Sequence, residues 1–236
     1  MAIFAIGDLH LSLGAEKPMD IFGGWQNYVQ RLEDSWRAQV APGDTVVLAG
    51  DTSWAMRLDE CGKDFACLES LPGKKLLVKG NHDYWWTTVA KMQRYLDAQG
   101  FASLGFLHNN CALVDGAALC GTRSWMFDAG QPHDEKVMNR EKGRLIASLE
   151  AAGSAEKIVF LHYPPVCAGA EAREIVEILH AYGVKRCYYG HLHGQALKKA
   201  VQGERGGIVY TLISADGVGF RLVPVPVGQP DAPQSP

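Results

Sequence analysis

The chain has 236 residues, of which 47% are hydrophobic and 21% are charged, as in an ordinary globular protein with one sizeable core. Its 23 basic and 26 acidic residues give a formal net charge of −3, and no run of five like charges occurs. These features exclude the basic footprint of a dedicated nucleic-acid-binding protein and favour a small substrate.

The cysteines and the hydropathy pattern argue against a disulfide-rich protein, a zinc knot and a membrane-spanning protein. The six cysteines stand singly in apolar contexts without a Cys-x-x-Cys pair, which predicts buried free thiols rather than a zinc knot or a disulfide framework. No apolar run approaches the ~18 residues of a membrane span. Strand character begins at Ala2, which leaves no room for a cleaved signal. We therefore expect a cytoplasmic protein with no membrane partner.

The first hundred residues alternate strand-like and helix-like segments. Apolar, strand-like runs begin at Ile3, Thr45 and Lys75. Between and after them, apolar residues spaced by threes and fours predict helices over residues 20–40, 56–71 and 87–98, the last ending before Gly100. This alternation indicates parallel βαβ crossovers.

In the second half of the chain, hairpin signals and an irregular segment interrupt the alternation of strands and helices. Asp115-Gly116 predicts a hairpin between residues 111–114 and 117–120, and Asp216-Gly217 predicts another between residues 208–214 and 218–225. Residues 123–135 are irregular and polar, which predicts a loop over the site, and helices are expected around residues 135–152 and 172–182. Pro-rich residues 226–236 predict a disordered tail, which leaves one domain over residues 1–225.

Five strand-like runs end abruptly at residue types that bind metals. The five endings are Asp8-Leu9-His10, Gly50-Asp51, Gly80-Asn81-His82-Asp83, His162 and Gly190-His191-Leu192-His193. Open α/β sheets place their sites at the carboxyl ends of strands, so five such endings on one sheet would converge on one crevice. Glycine before four of the endings would let backbone come close at crowded strand ends.

In the order and composition of these blocks, the chain resembles the calcineurin-like metallophosphoesterase superfamily, and within it small bacterial-type phosphohydrolases. The resemblance covers residues 3–193. It implies an α/β fold, a four-layer αββα sandwich in which two mixed β-sheets pack on each other between flanking helices. Periodicity alone indicates mixed α/β structure.

The resemblance also implies a pair of metal ions. One would be held by Asp8, His10, Asp51 and His193, and the other by Asp51, Asn81, His162 and His191. Asp51 would then bridge the two ions, because each of its two oxygens can face one of them. Imidazole and carboxylate ligands without thiolate suit Mn, Fe, Zn or Co better than Ca or Mg. The expected cofactors are therefore two divalent or mixed-valence transition-metal ions.

The implied activity is metal-dependent phosphoester hydrolysis by a hydroxide held between the two metals. His82 would be the imidazole that protonates or stabilises the departing oxygen without binding metal, and Asp83 would orient it. The expected substrate is a phosphodiester or another small nucleotide-type molecule. The alternatives are a phosphomonoesterase acting on a small metabolite or a phosphoprotein, and, in another class, a metal-binding scaffold without turnover. The presence of His82 and of every expected ligand favours an enzyme, and nothing indicates its oligomeric state.

Aromatic and basic side chains near the motifs have two interpretations. The tryptophans either stack on a planar substrate group or pack beneath the site loops, and packing is favoured for the set Trp54, Trp85, Trp86 and Trp125. Arg57 and Arg123 either clamp a further phosphate oxygen or are solvated charges, and the second interpretation is favoured.

Overall fold

A computed structural model describes residues 1–126 and 135–228. Its strands are β1 (Ile3–Ile6), β2 (Thr45–Leu48), β3 (Lys74–Leu77), β4 (Leu104–Phe106), β5 (Cys111–Val114), β6 (Ala117–Thr122), β7 (Glu156–Leu161), β8 (Val166–Cys167), β9 (Ala170–Glu171), β10 (Arg186–Tyr189), β11 (Gly203–Arg205), β12 (Ile208–Leu212) and β13 (Val223–Pro224). Its α-helices are α1 (Tyr28–Gln39), α2 (Gly62–Glu69), α3 (Val89–Gln99), α4 (Glu135–Ala151) and α5 (Arg173–Ala181). Two 3₁₀ helices cover Leu58–Cys61 and Gly194–Lys199.

Two mixed sheets form the frame. The first has the order β13-β1-β2-β3-β4, in which β1 to β4 are parallel and β13 runs antiparallel to β1. The second has the order β11-β12-β10-β7-β6-β5, in which the four central strands are parallel and both edge strands are antiparallel. Strands β8 and β9 form a small separate hairpin. The predicted parallel crossovers are therefore confirmed.

Successive side chains along the strands pack alternately against the helices and against the other sheet, which gives four layers. In β1, Phe4 and Ile6 belong to the hydrophobic cluster that contains α1, α2 and α3, whereas Ile3 and Ala5 belong to a cluster shared with the second sheet. Residues of β7 alternate in the same way, because Ile158 faces the first sheet and Val159 faces α4 and α5. Successive side chains of a strand point to opposite faces. The predicted αββα sandwich is confirmed.

The first predicted helix is shorter than expected. Residues 20–27 form turns, and α1 begins only at Tyr28. Gly24 and Asn27 have φ values of 88° and 51°, a left-handed conformation that a helix cannot contain. The apolar spacing misleads here because Ile21, which it places on the buried face of a helix, is 74% exposed.

One predicted hairpin is confirmed and the other is wrong. Val114 pairs with Ala117 across Asp115-Gly116, whose φ values of 50° and 86° fit a two-residue turn. Asp216-Gly217 does not join paired strands, because β12 lies in the second sheet and β13 lies in the first. The buried Phe220, with φ 61°, and its neighbours pack into the core of the first sheet and carry the chain across.

Several expectations concern the ends of the described ranges. Residues 123–126 are in neither helix nor strand, whereas the rest of the predicted site loop, residues 127–134, lies outside the described residues. In the predicted tail, the backbone N–H of Gly228 donates to Glu156 (2.8 Å), and residues 229–236 again lie outside them. All six cysteines are free thiols, as predicted, but Cys67 and Cys111 are only partly buried, whereas the sequence predicts buried thiols. Across residues 1–126 and 135–228, no helix is long and apolar enough to cross a membrane.

Candidate metal centre

The five motif endings meet at one place, but they come from both sheets. Strands β1, β2 and β3 of the first sheet lead into Asp8, His10, Asp51 and Asn81, and strands β7 and β10 of the second lead into His162, His191 and His193. The expectation of a single sheet is therefore wrong. The sheets join beside the site, where Gly7 exchanges hydrogen bonds with Ile213 (2.7 Å) and Ala215 (3.0 Å).

A first group of donors consists of Asp8, His10 and His193. The Nε2 atom of His193 lies 3.2 Å from Oδ1 of Asp8 and 3.4 Å from Nε2 of His10. Asp8 and His10 are buried. One donor atom from each of the three residues lies within 4.8 Å of the others, a spacing that could hold a metal ion.

A second group surrounds the Asn81 side chain. Its Oδ1 atom lies 2.5 Å from Nε2 of His162 and 2.9 Å from Nδ1 of His191. Nε2 of His162 is also 3.6 Å from Oδ2 of Asp51. Asp8, Asp51 and His162 again offer donor atoms within 4.8 Å of one another.

Asp51 lies between the two groups. Its Oδ2 atom is 3.7 Å from Nε2 of His10 and 3.6 Å from Nε2 of His162. Its other oxygen accepts the backbone N–H of His82 (2.7 Å). This position is compatible with the bridging role expected of Asp51, which stays a prediction.

The electrostatics of the site fit a cation. Burial, followed by the nearby Asp8 carboxylate, raises the pKa of Asp51 to about 8. Burial also acts to raise the pKa of Asp8, but His193 and other imidazoles outweigh it and lower that pKa below its usual range. Burial lowers the pKa of His10 and of His191 to about 3, so both keep a neutral imidazole that can bind metal. A cation between the two carboxylates would relieve their mutual repulsion.

A sequence model of the calcineurin-like phosphoesterases matches residues 1–195. The chain belongs to this family. It is a metal-dependent phosphoesterase, with Asp and His groups that could hold the metal.

Solved structures agree on the fold. The phosphopantetheinyl hydrolase (PptH) from Mycobacterium tuberculosis is similar with a TM-score of 0.59 and 15% identity over 100% of this chain and 98% of that one. The protein TT1561 of Thermus thermophilus is similar with a TM-score of 0.57 and 13% identity over 95% of this chain and 97% of that one. A comparison with curated protein sequences gives no match.

Two histidines of the phosphoesterase are held in one tautomer by partners outside the donor groups. Nδ1 of His162 donates to the backbone oxygen of Ala49 (3.1 Å), which leaves Nε2 free to face Asp51. Nδ1 of His193 donates to Oδ1 of Asp216 (2.9 Å), which leaves Nε2 facing Asp8. Partners of this kind orient metal-binding imidazoles and raise their basicity.

Asp216 is a site residue that the sequence analysis missed. Its second oxygen accepts the backbone N–H of Gly194 (2.9 Å). Burial acts to lower the pKa of His193, but the Asp8 and Asp216 carboxylates raise it to about 10, and a bound cation would displace that proton. Asp216 follows β12 of the second sheet, as the motif residues follow their strands, and this signal could have found it.

Asp83 has a different role from the expected one. Its buried carboxylate accepts hydrogen bonds from the indole of Trp85 (3.1 Å) and from four backbone N–H groups, those of Gly80 (2.7 Å), Asp51 (3.0 Å), Thr52 (2.9 Å) and Ser53 (3.4 Å). Nδ1 of His82 is buried and has no hydrogen-bond partner in the described part of the chain. The prediction that Asp83 orients the His82 ring is therefore wrong, and Asp83 instead ties the loop after β2 to the loop after β3.

His82 stands at the edge of the donor groups. Its ring is half-buried, with its centroid 5.7 Å from that of His10 and 4.6 Å from that of Trp54. It belongs to neither of the two groups whose atoms could hold a metal ion. Its position is compatible with the non-ligand role expected of it, which stays a prediction.

The backbone at the centre is close-packed and strained. A Cβ atom on Gly80 would overlap the Asp51 carboxylate, and one on Gly190 would overlap the Asp8 carboxylate, as predicted for glycine before the motif residues. Four predicted ligands have a left-handed φ between 47° and 73°, namely Asp8, His10, Asp51 and His191. Such strain persists where the surrounding structure fixes it, most often at functional sites.

The tryptophans divide between packing and lining the site. Trp85 is buried and bonded to Asp83, and Trp86 packs on Phe106, so packing is confirmed for both. Trp54 stacks on His10 at a centroid distance of 4.8 Å and borders the cavity in front of it. Trp125 packs on Tyr163.

The two arginines have acidic partners. Arg57 is exposed and forms an ion pair with Asp59. Arg123 lies 3.4 Å from the buried Glu141, in a cluster that also contains Arg144. These ion pairs give no support to a phosphate clamp at either residue.

Proposed function

We propose that the enzyme hydrolyses small phosphodiesters of nucleotide type in the cytoplasm, as a single domain over residues 1–225. In this proposal two transition-metal ions are held by Asp8, His10, Asp51, Asn81, His162, His191 and His193. The observation that carries it is the position of Asp51 between two donor groups, 3.7 Å from His10 and 3.6 Å from His162. When bound, two such ions lower the pKa of water and polarise the phosphoryl oxygens.

The chain's own residues divide the remaining work. Asp51 accepts the backbone N–H of His82 with one oxygen, which would fix the carboxylate between the two donor groups. His82 gives the departing oxygen a proton at Nε2, because its Nδ1 atom is buried. General acid help of this kind contributes about 10²–10⁴-fold.

Hollows on both sides of the centre support a diester over a monoester. One cavity of about 380 Å³ borders His10, His82 and His193. A second of about 220 Å³ borders His191 and Tyr163. A diester carries a group on each side of its phosphate, whereas a monoester fills only one side.

The test is anaerobic purification with metal analysis, followed by reconstitution with Mn, Fe, Zn or Co and assays on bis(4-nitrophenyl) phosphate and 4-nitrophenyl phosphate. We expect about two ions per chain and a higher kcat/KM for the diester. A higher value for the monoester would favour a phosphomonoesterase. Metal binding without turnover of either ester would favour the scaffold.

A further inference from the structure

The cavity of about 380 Å³ in front of His82 has walls of two kinds. One wall is formed by His82 together with His10 and His193 of the proposed metal centre. The facing walls are aromatic and thioether side chains, formed by Met19, Phe22, Trp25 and Trp54. Cavities of this size, largely apolar and with a few polar groups on one side, are typical of small-molecule sites.

The aromatic walls are held in place by their own packing. Trp25 is 4% exposed and packs edge-on against Tyr28 (5.4 Å) and Phe220 (5.0 Å). Trp54 stacks on His10 and donates its indole N–H to the Met19 sulfur (3.3 Å). A ligand would therefore meet a preformed aromatic surface and lose little affinity to ordering it.

The charge of the lining disfavours a further phosphate. The residues around the cavity include the Asp216 carboxylate but neither a lysine nor an arginine. Lys17 lies outside the lining, with Nζ 4.5 Å over the Trp54 ring. Away from the metal centre, an anionic group inside would find no lysine or arginine on the walls and would face the Asp216 carboxylate, so this part of the cavity suits an uncharged group.

We infer that this cavity binds the leaving group of the substrate, and that this group carries an uncharged aromatic or heteroaromatic ring. The inference rests on the proposed function, because it uses His82 as the acid. Water supplies the new P–O bond, the P–O bond to the alcohol breaks, and the alcohol oxygen receives its proton from His82. The leaving alcohol must then lie next to His82, within the aromatic cavity.

Phe22 gives a clean way to alter the cavity. It is 52% exposed, so its truncation leaves the core intact, and it contributes to the wall. Ile21 is the matched control, because it is the preceding residue in the same turn, is 74% exposed, and does not line the cavity.

The experiment compares methyl ethyl phosphate with methyl 2-phenylethyl phosphate, with the released ethanol or 2-phenylethanol quantified by chromatography. The two leaving alcohols have similar basicity, so the comparison isolates the ring. Burying a phenyl ring predicts a kcat/KM about 10- to 100-fold higher for the phenylethyl ester. Phe22→Ala should lower this ratio several-fold, and Ile21→Ala should leave it at the wild-type value. Binding of 2-phenylethanol alone, followed by saturation-transfer NMR, should weaken in Phe22→Ala only.

Failure of the proposed function has a different signature. If neither ester is hydrolysed but 2-phenylethanol binds and Phe22→Ala weakens it, the hydrolase proposal fails while the aromatic cavity stands. If both esters are hydrolysed at equal kcat/KM and 2-phenylethanol does not bind, the cavity inference is overturned while the hydrolase proposal stands. Equal effects of Phe22→Ala and Ile21→Ala would also overturn it, since they would show a disturbed turn rather than a lost wall.

Discussion

Asp51 and His82 are joined by a hydrogen bond of 2.7 Å, yet we expect their replacement to have different effects on metal content and activity. Asp51→Ala removes the carboxylate that lies between the two donor groups, so both metals should weaken and activity on every substrate should vanish. His82→Ala removes no proposed ligand. Its metal content should stay near wild type while kcat falls about 10²–10⁴-fold for esters with basic leaving groups.

The leaving group supplies the control for this pair. A nitrophenolate departs with little protonation. The fall in kcat caused by His82→Ala should therefore be smaller for a nitrophenyl ester than for an ester whose leaving group is an alkoxide. Metal analysis and kcat on both kinds of ester check the prediction. Loss of metal in His82→Ala as severe as in Asp51→Ala, or equal slowing of good and poor leaving groups, would contradict the role of His82 as acid.

Asp216 has a separate test, because it contacts His193 without joining either donor group. Asp216→Ala removes the acceptor that orients His193, so metal affinity should fall about 10- to 100-fold. Asp216→Asn keeps an acceptor oxygen, so its metal affinity should fall less. Asp115→Asn is the control, because Asp115 also precedes glycine but lies in the turn between β5 and β6. Metal titration by calorimetry gives the readout, and an unchanged affinity in Asp216→Ala would show that His193 needs no such partner.

The sequence predicts the positions of the site carboxylates better than their roles. Asp8 and Asp51 can be predicted as site residues because each closely follows an apolar strand. Asp83 follows one too, but backbone N–H groups from two loops satisfy its oxygens, and no sequence pattern shows that. The Asp216-Gly217 pair predicts only a turn, because Asp-Gly is a turn signal wherever it occurs.

At the scale of elements, the loops after β2 and β3 are packed so closely that glycine is required between them. A Cβ atom at position 80 would collide with the Asp51 carboxylate. We expect Gly80→Ala to displace that carboxylate, lower the number of metal ions bound, and reduce kcat by orders of magnitude. Gly143→Ala, in the exposed part of α4 where a Cβ meets nothing within 4 Å, should instead keep full metal content and stabilise the helix by up to about 1 kcal/mol.

Metal analysis and thermal denaturation of the two glycine variants distinguish a local effect from a general one. A Gly80→Ala protein with wild-type metal content would show that the loops can separate without loss of the centre.

The same two-residue signal, Asp-Gly, predicted one hairpin correctly and one incorrectly. The strands around Asp115-Gly116 are neighbours in one sheet, so the local turn and the tertiary pairing agree. After β12 the chain leaves its sheet, because β13 completes the edge of the other sheet beside β1. The pairing of β13 with β1 joins residues that are far apart in the chain, and local sequence patterns carry no information about such pairing.

For the whole molecule, the important fact is that the proposed ligands come from two sheets that meet at the site. Asp8, Asp51 and Asn81 belong to the first sheet, and His162, His191 and His193 follow strands of the second. Metal ions held by both sets would link the two halves of the sandwich. Unfolding would separate the ligands, so metal binding should stabilise the entire fold rather than one loop.

This coupling predicts a thermal shift. A metal present at 100 times its dissociation constant stabilises the folded state by about 2.7 kcal/mol, which corresponds to roughly 5–10 °C in Tm for a chain of this size. Treatment with a chelator should lower Tm by that amount and abolish hydrolysis, and Mn²⁺ should restore both. Asp51→Ala should show neither the loss nor the recovery. A chelator-sensitive Tm in Asp51→Ala equal to that of wild type would place the stabilising metal elsewhere, because the only shared carboxylate of the proposed centre would then be missing.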